Sequence, residues 1–122
     1  MDDREIEDEI ARLLDRLPRA FRRRIENVAI VIEKRPRKEQ LIAMGLDPRR
    51  QTLFGLYEGT PLTKRSATYP PILPDKITIF SEPLRLSFPQ PEELREQLRV
   101  TLLHEIAHYF GMKEADIEKL GY

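Results

Sequence analysis

The sequence predicts an α+β domain in which a small mixed sheet of three to four strands packs on an N-terminal helix and on a long helix near the C-terminus. Three observations carry that expectation. Apolar residues recur at helical spacing between Ile6 and Leu17, and again between Leu94 and Phe110. The runs VAIVIE and KITIF are short and β-branched, which suits strands. Glycine and proline punctuate the segments between them.

The first helix is expected from the spacing of Ile6, Ile10, Leu13, Leu14 and Leu17, which gives one apolar face, with Pro18 as its stop. A short basic helical turn follows around Phe21 and Ile25, and Val28–Glu33 reads as a buried strand. The KRPRKEQ stretch reads as a solvated loop or short helical piece, and Asp47–Pro48 as a turn. Leu53–Gly59 alternates as a second strand, where Gly55 and Gly59 mark a bulge, a turn or a close backbone approach. Thr60–Pro74 has four prolines and reads as a long loop, a kind of segment often tied to function. The third strand, KITIF, puts Ile77 and Ile79 on one face and Thr78 and Phe80 on the other. The last long helix runs from Glu92 to about Phe110 and stops at Gly111; a final short helix spans Glu114 to Leu120.

Composition narrows the chemistry. A chain of 122 residues fits one domain, expected here over 1–122. With no cysteine there is no disulfide framework, thiolate metal site or cysteine nucleophile, so a metal would need nitrogen and oxygen ligands. The acidic start MDDREIEDE lacks the features of a signal peptide, and no run is long enough to span a bilayer, so a cytoplasmic protein is expected. The 21 basic and 21 acidic residues cancel overall, yet residues 19–50 carry ten basic against four acidic groups. Mixed charge on the outside of a small domain explains the Arg22–Arg24 and Lys34–Lys38 clusters better than nucleic-acid binding does.

Chemistry concentrates in LRVTLLHEIAHYFGMKEADIEKLGY. Both histidines of the chain, His104 and His108, stand four residues apart in the long predicted helix, so their rings share a face about one turn apart. Such an HExxH helix offers a zinc ion two imidazole ligands, with a glutamate beside them. The leucines of this helix repeat every fourth residue, and Ile106 lies about 200° around the axis from His104. One side is therefore core, and the other presents His104, Glu105 and His108, with Thr101 one turn earlier.

A hydrolytic zinc site needs a third protein ligand and an open position for water. No other histidine exists, so a carboxylate, or else a tyrosine oxygen, must supply it. In the spacing HExxHxxGxxE, Gly111 can turn the chain back beneath the ion and deliver Glu114, the first choice; Asp116 and then Glu118 come after it. Glu105 is the expected general base, accepting a proton from metal-bound water and passing one to the leaving amine. Tyr57, Tyr69, Tyr109 and Arg65 are the candidates for steadying the oxyanion.

Through LFGLYEGTPLTKRS, LPDKITIF, LRVTLLHEIAHYFGM and the terminal LGY, the chain resembles the minimal zincins, small bacterial HExxH metallopeptidase-like proteins. The resemblance implies a compact zincin-like α+β fold, with a lower-edge strand at Ile77–Phe80 lining a substrate groove. It also implies metal binding by His104, His108 and Glu114, and catalysis by Glu105. The chain departs from the metzincin pattern, which has histidine where Glu114 stands, and Met112 directly follows the glycine with no separate Met-turn. The expected activity is zinc-dependent hydrolysis of peptides or flexible protein segments. The alternative is a catalytically silent zinc-binding module that docks another protein.

Overall fold

The computed structural model describes residues 1–62 and 74–122. Along the chain come α1 (Asp3–Asp15), α2 (Arg19–Arg24), β1 (Ala29–Glu33), α3 (Lys38–Ala43), β2 (Gly55–Glu58), β3 (Lys76–Phe80), α4 (Ser81–Ser87), α5 (Pro91–Tyr109) and α6 (Glu114–Lys119). This is the α+β arrangement expected. Helix α1 opens on a reciprocal cap: Glu5 N–H donates to Asp2 Oδ1 at 2.8 Å, and Asp2 N–H donates to Glu5 Oε1 at 3.2 Å. It closes at Asp15 rather than at the proline itself, because the residue ahead of Pro18 is pushed out of helical geometry.

The sheet order is β1–β3–β2, with β3 parallel to β1 and antiparallel to β2. Two strand expectations are corrected by this order. Ile77–Phe80 is the central strand and not the lower edge, and both of its faces are buried: Ile77 and Ile79 on one side, Thr78 and Phe80 on the other. The edge that faces the long helix is β2. Conversely, the strand read as buried, β1, is an outer strand whose residues are mostly half-buried. Both runs are β-branched and apolar, and such composition reports burial without reporting lateral position.

Ile77 and Ile79 pack with Ile6 and Ile10 of α1 and with Leu94, Leu98, Leu102 and Ile106 of α5. Each such side chain contributes roughly 1.5–3 kcal/mol when taken from water, so α5 is pinned in rotation by its apolar back. The opposite helical face is therefore held toward β2. Glu9 of α1 lies buried at this helix pair and reaches Arg12 at 3.7 Å and Arg95 of α5 at 3.4 Å. Helix α4, absent from the sequence reading, starts directly at the end of β3; its Pro83 falls in the first turn, where no amide is needed. Part of the segment read as a functional loop, residues 63–73, lies outside the described residues. So do Arg65 and Tyr69. Among the described residues, no helix is long and apolar enough to cross a membrane.

Candidate metal centre

Helix α5 carries His104, Glu105 and His108 on the face turned to β2, with one potential ligand atom from each lying within 4.8 Å of the others. The imidazole rings stand edge to face with centroids 4.9 Å apart. Their Nε2 atoms converge on one carboxylate: His104 Nε2 is 3.0 Å from Glu114 Oε1, and His108 Nε2 is 2.9 Å from Glu114 Oε2. Gly111 makes this possible. Its φ of 87° lies in the left-handed region, and Met112 N–H closes back on Ala107 O at 3.1 Å. The chain reverses there and Glu114 opens α6 beneath the histidines. Asp116 and Glu118 sit further along α6 and are exposed.

The donor set fits zinc. Tetrahedral coordination at the usual Zn–N and Zn–O lengths sets neighbouring ligand atoms about 3.4 Å apart. Each imidazole nitrogen already stands within about half an ångström of that spacing from an oxygen of the Glu114 carboxylate. Burial holds His108 below the usual imidazole range, against the pull of Glu114, and so favours the neutral ring that ligates metals.

Glu105 is placed differently from Glu114. It is 8% exposed, and its Oε1 accepts the backbone N–H of Tyr57 on the edge strand at 2.9 Å. Burial pushes its carboxyl up to about 7; the positive field of His104 and the Tyr57 amide oppose that rise. The strand approaches this closely because residue 55 is glycine. A Cβ there would stand 2.7 Å from Thr101 Cγ2 and 3.2 Å from Glu105 Cγ. Since Phe80 N–H donates to Phe54 O at 2.9 Å, antiparallel alternation turns the N–H and C=O groups of Gly55 and Tyr57 away from β3, and there the Tyr57 N–H meets Glu105.

Of the four candidate oxyanion groups, two can be located, and their hydroxyls are engaged elsewhere. Tyr57 Oη donates to Asp75 Oδ1 at 2.7 Å, and Tyr109 Oη donates to Arg24 O at 2.9 Å from a ring that is 3% exposed. The close backbone approach expected at Gly55 is found, whereas the Tyr57 amide that it brings to Glu105 had no place in the sequence reading. A cleft of about 280 Å³ opens on His104, Glu105, His108 and Glu114.

Residues 25–122 match a family described as zincin-like metallopeptidase. No curated protein matches the chain.

Proposed function

The chain belongs to the zincin-like metallopeptidase family, and from that premise we propose that it is a zinc-dependent peptidase in which His104, His108 and Glu114 hold the ion and Glu105 is the general base. The observation that carries the reading is the convergence of both imidazole Nε2 atoms, at 3.0 and 2.9 Å, on a carboxylate delivered by the Gly111 turn. An i,i+4 histidine pair on a solvated helix has no reason to meet a shared anion from another element.

When bound, zinc supplies Lewis acidity, polarising the scissile carbonyl and lowering the pKa of the attacking water. The remaining work belongs to side chains of this chain. Glu105 takes the proton of the water and returns one to the leaving amine. Beside a dication a carboxylate ordinarily loses basicity; the burial that raises the Glu105 pKa opposes that loss. The Tyr57 amide, 2.9 Å from Glu105 Oε1, fixes the carboxylate rotamer. The edge strand β2 offers backbone N–H and C=O groups to an extended peptide.

The test is Glu105→Gln. Zinc content should match the parent, while cleavage of a diverse peptide mixture falls by about 10²–10⁴-fold. Equal cleavage by parent and variant removes Glu105 as the base. Zinc binding with no cleavage of any peptide by the parent would point instead to a silent zinc module.

A further inference from the structure

The cleft at Glu105 has two lobes with different walls. The first, about 280 Å³, is bounded by Met44, Leu53 and Pro61 on one side and by His104, His108 and Glu114 on the other. The second, about 250 Å³, continues past Gly55 along Phe54, Val100 and Thr101 to Tyr122. Both share Leu53, Gly55, His104 and Glu105, so they meet at the base. Between them Gly55 closes against Thr101 and Glu105 of α5, which marks the boundary of the two lobes. Each lobe lies below the roughly 300–1,000 Å³ typical of drug-sized ligand sites. The first also has to hold the ion between His104, His108 and Glu114, which leaves room for a single side chain beside it.

The chemistry of the first lobe is specific. Met44 keeps 53% of its surface exposed although it is apolar, and it faces the mouth of the cleft together with Leu53 and Pro61. A methionine wall is flexible and polarisable, and it adapts to aliphatic side chains of different shape. Beyond His104, His108, Glu105 and Glu114, the described residues that line this lobe bring no charged side chain.

We propose that this lobe receives an apolar, leucine- or methionine-sized side chain next to the scissile bond, so that the protein selects peptides by that residue through Met44, Leu53 and Pro61. The assignment rests on the peptidase reading, and it can be tested by binding as well as by turnover.

The experiment measures Kd for blocked short peptides, identical but for leucine, serine or lysine at one central position, against zinc-loaded Glu105→Gln protein. The leucine peptide should bind about tenfold more tightly than the serine peptide and more tightly than the lysine peptide. In Met44→Ser and Leu53→Ser, each made in the same background, the leucine-to-serine ratio should fall to a few-fold or less. The ratio is internal to each variant, so a partly unfolded preparation weakens both peptides and leaves it readable. Equal binding of all peptides, no measurable binding, a preference for lysine, or a ratio unchanged in both variants would overturn the proposal. Cleavage of the same peptides by the parent protein separates the two claims. Binding with leucine preference but no cleavage retires the peptidase and keeps the lobe, whereas cleavage indifferent to the central residue retires the lobe and keeps the peptidase.

Discussion

Adding one methyl group at position 55 should separate the edge strand from the base. Gly55 has no positive φ, so alanine is accepted by the backbone and its effect is steric. The new Cβ would stand 2.7 Å from Thr101 Cγ2, where carbon pairs prefer about 3.5–4.0 Å. Relief requires β2 to retreat by roughly 0.8 Å or more from α5, since α5 is locked by Leu98 and Leu102 on its other side. The Tyr57 N–H to Glu105 Oε1 distance then grows from 2.9 Å to beyond hydrogen-bond reach. Overpacking costs about 1–3 kcal/mol, offset by about 0.4–1 kcal/mol from the stiffer unfolded chain. A net loss of about 1–2 kcal/mol lowers Tm by several degrees. Misplacement on this scale costs on the order of 10²-fold in kcat/KM. The assay pairs thermal melts with peptide turnover for Gly55→Ala and for Gly55→Ala with Thr101→Ser, which deletes the opposing methyl. The double variant should recover most of both losses. A single variant with the parental Tm and kcat/KM, or a double variant no better than the single, refutes the close-approach argument.

Two further outcomes follow from the same geometry. In the metal-free protein, burial raises the Glu105 pKa to about 7 from 4.5, so the folded state binds a proton more tightly than the unfolded chain does. Stability is therefore lost as pH rises from 4.5 through 7, by up to the order of 3 kcal/mol, and Glu105→Gln should melt higher than the parent at pH 8 and nearly level with it at pH 4.5. Chemical denaturation of the chelated proteins at both pH values measures this; a destabilised Gln variant at pH 8 contradicts it. Gly111→Ala forces a β-carbon into φ 87°, costing about 1–2 kcal/mol and swinging Glu114 away, so zinc affinity should fall more than tenfold. Gly45→Ala, at φ 75° with nothing within 4 Å, should carry a similar strain without the loss of zinc affinity, as competitive chelator titration would read.

The longer helices and the clustering of His104, Glu105, His108 and Glu114 were legible because their signals are local. The fourfold leucine repeat fixed which side of α5 is core, and thereby which side carries His104 and His108. A single glycine three residues after His108 was enough to bring Glu114 back, since a left-handed residue at a helix end reverses the chain in a predictable way. What the sequence hid is lateral and non-local. Nothing in VAIVIE or KITIF tells which one pairs on both sides, so the central strand was read as the edge. Helix α4 is only seven residues long and follows β3 without a linker, leaving no punctuation to announce it. Tyr57 contributes its amide and not its phenol to the site, and backbone roles leave no trace in residue identity beyond the neighbouring Gly55.

The most direct test of the zinc assignment is elemental analysis of the purified protein and of His104→Ala, Glu114→Ala and Asp116→Ala, after dialysis against buffer containing trace zinc. One zinc ion per chain is expected in the parent and in Asp116→Ala, with loss of most of the metal in the other two. A parent without zinc, or a Glu114→Ala variant that retains the parental content, would contradict the three-ligand centre.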